Sequence, residues 1–458
     1  MSPLPFVIVI LLSLFLVPFS STSPSPPLRL SLHLHSPPFD SHSSHHPLLP
    51  LSISSLLRAT ILRNHSHPNT SPSLSPLFPH SYGGYSLSFS LGSPPHLFPF
   101  LFDTASHLSW LPCSHSFRCL HCLPSPSPPP LYFPNSSLSS RLIGCHNPSC
   151  YWIHPSHSCP ENGTVSNATL CSPYLLVYGS GSTGGLLMLD KLNLPGRTLP
   201  NFVFGCSLFS DRQPPAGLAG FGRGSPSVPA QLGMTHFAYC LVSRKFDDDS
   251  AVSGSLFLGG SADVPLVSKD LQFIPFVRNP TKSLPFSVYY YVALRKITVG
   301  GKKVQLQTMA LYPGHTGDGG TIIDSGTTFT YMEPTSFHSL VETFTQVIGG
   351  RYNRSAHVES RTGLKPCFII PTKTSQLELP QLVFHFEGGA EMKLPVENYF
   401  VIANSEAVCL AVVTDGAASH VASGPSIIIG SFQQQNYYML YDLAGERLGF
   451  RQQNCVHH

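Results

Sequence analysis

Charge is scarce in this chain. Lys, Arg, Asp and Glu make up 11% of its 458 residues, and the formal net charge is +3 with His neutral. No run of Lys or Arg marks a phosphate-binding face, which argues against nucleic acid as a partner. Cysteine is missing from the first 112 residues; all 12 lie after that point. Beyond residue 19 no apolar run is long enough to span a bilayer, and Asn454-Cys455-Val456-His457-His458 has no lipid-anchor character. Stable membrane insertion of the mature chain is therefore not expected.

What is present begins with one apolar run, residues 4–19, followed by Ser20-Ser21-Thr22-Ser23. This predicts a secretory signal peptide over 1–22, although no Lys or Arg precedes the run. An uncleaved signal anchor is the competing reading. An even number of cysteines in a secretory chain predicts up to six disulfides. Cys119-Leu120-His121-Cys122 looks like half a zinc site, but the oxidising route and the lack of a second such pair argue against a metal. Asn64, Asn69, Asn135, Asn162, Asn167 and Asn353 each open an Asn-x-Ser/Thr sequon and fit glycosylated surface loops. The 23 histidines, mostly solvated loop residues on the plain reading, would make the surface far more basic near about pH 5.

Residues 23–80 are rich in Ser, Pro and His, with helical spacing confined to 51–62. They read either as a disordered linker or as a propeptide covering a site until it is removed. From Tyr82 the texture changes. Tyr85-Ser86-Leu87-Ser88-Phe89-Ser90-Leu91-Gly92 alternates as a half-buried strand does. Short strands divided by Gly and Pro continue to the end, and the best helical pattern is 336–347. The fold class is therefore mostly β, in two lobes, 81–278 and 279–458. Seven of the twelve cysteines fall in a Pro/Ser-rich insertion over 113–171, which cross-links must order; their connectivity is left open by the sequence.

Two runs carry the chemistry: Phe102-Asp103-Thr104-Ala105-Ser106 and Ile323-Asp324-Ser325-Gly326-Thr327. Each is an apolar strand ending in Asp and small or hydroxylated residues. They lie about 220 residues apart, roughly one and a half domain lengths, as two related lobes would give. Two aspartates held close cannot both ionise cheaply, so one proton is shared. Such a pair can activate water from one oxygen and protonate a carbonyl from another. Trp110 follows Asp103; Tyr178-Gly179-Ser180-Gly181 reads as a hairpin tip with a projecting tyrosine. Leu218-Ala219-Gly220 and Ile428-Ile429-Gly430 supply an apolar-apolar-Gly sequence in each half, where glycine lets one backbone pass close to another.

On these residues, together with Gly430-Ser431-Phe432-Gln433-Gln434-Gln435-Asn436 and the cysteine-rich insertion, the chain resembles the pepsin family of aspartic proteases from about Tyr82 to Cys455. Within it the chain looks like the plant nepenthesin-like group. The resemblance implies the bilobal acid-protease fold, with a cleft between β-barrel-like lobes. It also implies an acid-active endopeptidase needing no cofactor or metal, working as a monomer on an extended polypeptide. Asp103 and Asp324 would hold the attacking water. Thr104 and Ser325 would lock the loops together beneath it, and Ser106 and Thr327 would bond the outer carboxylate oxygens. Tyr178 would close a flap over substrate, oriented by the Trp110 indole. The family usually has a bridge matching Cys367 with Cys409. Its propeptides present a basic residue to the aspartates, for which Arg29, Arg58 and Arg63 are available here. Secretion to the cell wall, with the vacuole as alternative, goes with that group.

One departure stands out. Gly326 keeps the family's third loop position, whereas Ala105 does not. If the backbone there has negative φ, the methyl fits with modest strain; otherwise it would displace the carboxylates. A catalytically dead binding protein on the same fold, like the xylanase-inhibitor relatives, is the alternative that Ala105 favours. Both aspartates, Tyr178 and Trp110 favour the enzyme.

Overall fold

The computed structural model describes residues 28–31, six positions between 48 and 58, and 84–456 apart from 115, 122–129, 157–158, 160–169, 179–180, 195–196, 214–215, 247–252, 259–269, 282–283, 372–375, 405 and 416–423. The signal peptide, its cleavage point, Arg63 and the sequons at Asn64, Asn69, Asn162 and Asn167 lie outside the described residues.

The chain is mostly strand, as its alternation and β-branched and aromatic content dictate. The sequences that end in Asp are central strands. His96–Asp103 is buried toward its C-terminal end, and Thr321–Ile323 is buried throughout. Beside each runs a parallel partner: Gly217–Gly220 pairs Leu218 with Leu101 and Gly220 with Asp103, and Ile427–Ile429 pairs Ile429 with Ile323. A third strand then packs antiparallel on the same partner, Trp110–Pro112 in one half and Thr330–Met332 in the other. The same three-strand arrangement is thus built twice.

The expected glycine role is physical at these crossings. A Cβ on Gly220 would lie 2.6 Å from the His107 carbonyl, and one on Gly430 would lie 2.4 Å from the Thr328 carbonyl. No side chain fits there.

Among the described residues the first half centres on a nine-stranded sheet that contains the long hairpin Gly181–Leu194 with Arg197–Asp211. A ten-stranded sheet runs on through His236–Cys240, Tyr437–Asp442, Arg447–Gln452 and Gln272–Val277 into the strands around Asp324. Strands from both sides of residue 278 therefore share one sheet. Helix Pro334–Ile348 has its ends fixed locally: the Glu333 carboxylate accepts from the N–H of Thr335 and Ser336 at 2.7 Å each, and Gly349 closes it in the left-handed conformation. Phe337, Leu340, Val341, Phe344 and Ile348 recur at helical spacing and are buried.

Disulfides join Cys113 to Cys206, Cys145 to Cys159, Cys150 to Cys171, Cys240 to Cys455 and Cys367 to Cys409. Cys119 is disulfide-bonded as well. Of the five bridges named, two lie within the insertion, Cys145–Cys159 and Cys150–Cys171, and Cys113–Cys206 ties it to strand 197–211. Asn135 and Asn353 are exposed. Among the described residues no helix is long and apolar enough to cross a membrane.

Candidate active site

The two Asp loops meet in the interior of the molecule. Asp103 and Asp324 are 1% and 0% exposed. The Thr104 N–H donates to Ser325 Oγ at 3.1 Å and the Ser325 N–H donates to Thr104 Oγ1 at 2.9 Å. Ser325 Oγ also donates to the Phe102 carbonyl at 3.1 Å. These reciprocal bonds hold the loops in one register. Each carboxylate then receives a matched pair of donors. Ser106 Oγ reaches Asp103 Oδ2 at 2.7 Å and the Ala105 N–H reaches Oδ1 at 2.9 Å. Thr327 Oγ1 reaches Asp324 Oδ2 at 2.6 Å and the Gly326 N–H reaches Oδ1 at 2.9 Å.

Ala105 is resolved by this geometry. It does not figure among the residues of positive φ, and its N–H keeps the same 2.9 Å bond as its glycine counterpart. The methyl group is accommodated without displacing the carboxylate. Its 6% exposed side chain joins an apolar cluster with Phe286, Val288, Tyr289, Phe329 and Phe432. Gly326 has no such latitude: a Cβ there would lie 2.9 Å from Asp103 Cγ.

Strands Tyr174–Tyr178 and Gly181–Leu194 pair as a hairpin closing at Tyr178 and Gly181; Gly179 and Ser180 at its tip lie outside the described residues. Trp110 Nε1 donates to Tyr178 Oη at 2.8 Å. Burial pushes the Tyr178 phenol well above its ordinary value, and the Asp103 charge adds to that, so it is a neutral hydroxyl at any working pH.

Between the two carboxylates lies Arg58. Its Nη2 donates to Asp103 Oδ1 at 2.7 Å and its Nε to Asp324 Oδ2 at 2.7 Å, with Nη2 also 3.3 Å from Asp324 Oδ1. The planar guanidinium suits two acceptors set side by side. Arg58 belongs to a helical stretch whose other described members are Leu48, Leu51, Ser52, Ser55 and Leu56. Leu48 and Leu51 are buried in the same cluster as Ala105. Ser52 Oγ donates to the Thr362 carbonyl at 2.9 Å, and Ser55 Oγ accepts from the Phe329 N–H at 2.8 Å.

Burial is the largest influence on Asp103 and raises its pKa. The Arg58 charge opposes that, the Asp324 charge reinforces it, and the net position is above the ordinary carboxylate value. Burial works against the Arg58 guanidinium too, but the two aspartates outweigh it and hold it protonated. The arrangement can hold a proton on one carboxyl beside an ionised partner. Among the described residues no three His, Cys, Asp or Glu side chains gather as a metal ligand set.

The sequence offered three arginines for the aspartates and could not choose; the structure brings Arg58 there. It also shows what the three consecutive glutamines do, which the motif alone left open. Gln434 Nε2 donates to the carbonyls of Ile429 at 2.9 Å and Asp324 at 3.3 Å. Gln433 Oε1 accepts from Thr330 N at 3.0 Å and Oγ1 at 2.7 Å. Both are fully buried and brace the loop from beneath. Ser52 and Ser55 had no signal, because their partners are backbone groups far along the chain.

Two family models match, xylanase inhibitor N-terminal over residues 85–260 and xylanase inhibitor C-terminal over 289–452. A relative described as a probable aspartyl protease of Arabidopsis thaliana is 32% identical, covering 81% of this chain and 82% of that protein. Aspartic proteinase nepenthesin-2 of Nepenthes gracilis is 32% identical, covering 81% and 78%. Among solved structures, EDGP superposes with a TM-score of 0.63 at 22% identity, covering 84% of this chain and 96% of that one. Basic 7S globulin from soybean gives 0.59 at 19%, covering 80% and 91%. At those identities the two structures speak for the fold.

Proposed function

The chain belongs to the pepsin-like aspartic protease family, and from that premise we propose that it is a secreted aspartic-type endopeptidase, made as a latent precursor and active at acid pH. The observation that carries this reading is the matched pair of loops. Asp103 and Asp324 are each held by one hydroxyl and one backbone N–H, and are joined by the Thr104–Ser325 bonds. A binding protein has no need of two buried carboxylates arranged in this way, which are costly to keep.

In the active form a water replaces the guanidinium. The ionised carboxylate takes a proton from that water as its oxygen attacks the scissile carbonyl carbon, and the protonated carboxyl gives its proton to the carbonyl oxygen. The tetrahedral diol then collapses. The protonated carboxyl gives its proton to the amide nitrogen, the ionised one takes a proton from a diol hydroxyl as the C–N bond breaks, and the two are left again with one proton between them. Ser106 and Thr327 hold the outer oxygens, so each carboxylate keeps one orientation through the cycle. Tyr178, held by Trp110, closes over the substrate and keeps out other water. The substrate is a polypeptide in extended conformation, bound by backbone hydrogen bonds and apolar subsites.

Residues 1–22 are read as the signal peptide and 23–80 as the prosegment, with lobes at 81–278 and 279–458. The disulfides fit an oxidising route out of the cell. Latency is supported by Arg58, which occupies the position the water needs. A second reading, a non-catalytic binding protein, is favoured by the inhibitor descriptions of the two family models. The test is hydrolysis of unfolded casein at about pH 3–5 after prosegment removal, with and without pepstatin. Pepstatin-sensitive cleavage that disappears in Asp103→Asn and Asp324→Asn supports the peptidase. No cleavage by the mature protein, or full activity in Asp324→Asn, overturns it.

A further inference from the structure

Residues Leu28–Ser31 form a strand paired antiparallel with Gln376–Leu379, in a two-stranded sheet separate from those that carry Asp103 and Asp324. The register sets Leu28 opposite Leu379, Arg29 opposite Glu378 and Leu30 opposite Leu377. Successive residues of a strand turn their backbone groups to opposite edges. The Glu378 N–H turns to Tyr352 and donates to its Oη at 3.0 Å. The N–H and C=O of Leu377 and Leu379 therefore turn to the other edge, where residues 28–31 lie. Leu377 and Leu379 are 0% exposed. That burial includes the cover given by residues 28–31, so departure of the strand would bare an edge of unpaired N–H and C=O groups able to pair with an extended segment.

The sequence on the other side is suited to the role. Leu28-Arg29-Leu30-Ser31-Leu32-His33-Leu34-His35 alternates leucine with polar or basic residues throughout, the pattern of a strand with one apolar face. The residue opposite Arg29 is acidic: Glu378, whose carboxylate has Arg351 Nη1 at 3.4 Å, an exposed and weak pair.

We propose that the edge of Gln376–Leu379 is a peptide-binding site, outside the catalytic cleft, for an extended segment with leucine at alternate positions and a cation between them. Its occupant is this chain's own residues 28–31, which anchor the N-terminal stretch independently of Arg58. The proposal rests on the proposed function only in supposing that this stretch is a removable prosegment. Two linked attachments raise retention by avidity, so the intact prosegment leaves only when both let go, whereas a cut between them frees each piece to leave by itself.

The test uses the full chain and hydrogen–deuterium exchange. Leu28→Asp/Leu30→Asp should speed exchange at the Leu377 and Leu379 amides by at least about tenfold, whereas Arg58→Met should leave those amides protected. A peptide of residues 26–36 added to the double variant should restore protection. A peptide of the same composition in shuffled order should not, and the Arg29→Glu peptide should bind at least about tenfold more weakly. Pepstatin should displace none of them. Unchanged protection in the double variant, equal rescue by the shuffled peptide, or displacement by pepstatin overturns the proposal. Casein hydrolysis by the same proteins reports on the peptidase reading separately.

Discussion

His107 follows the Asp103 loop directly and takes no part in the chemistry derived above. It is 8% exposed, its Nε2 has no hydrogen-bond partner, and burial alone pushes its pKa from 6.5 down to about 4. The unfolded chain takes up this proton near pH 6.5, while the folded chain does so only near 4. The unfolded state therefore binds more protons in between, and stability falls as pH falls through that window. By proton linkage the loss reaches about 3 kcal/mol at pH 4, a sizeable share of an ordinary domain's stability. His107→Leu removes the titration. Compared by urea unfolding, variant and wild type should differ by at most about 1 kcal/mol at pH 7.5, with the variant gaining about 3 kcal/mol relative to wild type by pH 4. Every other titrating group is common to both proteins and cancels in the difference. A difference that stays constant from pH 7.5 to 4 would refute the assignment of a neutral, desolvated imidazole beneath the Asp103 loop.

Three further outcomes follow from the site. Arg58→Met should let the uncut chain bind pepstatin, which the wild-type precursor should not; equal binding by both would remove the latency argument. Ala105→Gly should change kcat by less than about threefold, because the N–H bond to Asp103 does not depend on the methyl, and should lower stability by roughly 0.5–1 kcal/mol through backbone entropy. A tenfold gain in rate would mean that the methyl does obstruct the dyad. Trp110→Phe, which removes the donor to Tyr178, should lower kcat/KM about tenfold, the worth of roughly one hydrogen bond, and an unchanged value would detach the indole from flap function.

The legible parts were those fixed by short sequence. The Asp loops, the two apolar-apolar-Gly strands and helix Pro334–Ile348 each carry their determinants within a few residues. Helix Ala356–Thr362 escaped despite a Ser355 cap and Gly363 in the left-handed conformation, because two turns are too short to show a period. Strand Leu28–Ser31 escaped for a different reason: its alternation sits in Ser/Pro/His-rich surroundings whose composition argues for disorder. Arg58 was visible as a residue but not as the one of three that reaches the dyad. That choice depends on Ser52 and Ser55 finding Thr362 and Phe329, contacts about 310 and 274 residues distant. The Ala105 question turned on a dihedral angle, which no residue name specifies.

The reciprocal bonds between Thr104 and Ser325 span 221 residues. Closing a loop of that length costs about 5 kcal/mol of chain entropy, which the folding of both halves must offset before the carboxylates meet. A nascent chain that has not yet reached residue 324 holds at most one of them and has no dyad. Arg58, 45 residues ahead of Asp103 and 266 ahead of Asp324, leaves the ribosome before either. In vectorial synthesis the blocking cation is already waiting when the site it covers comes into being.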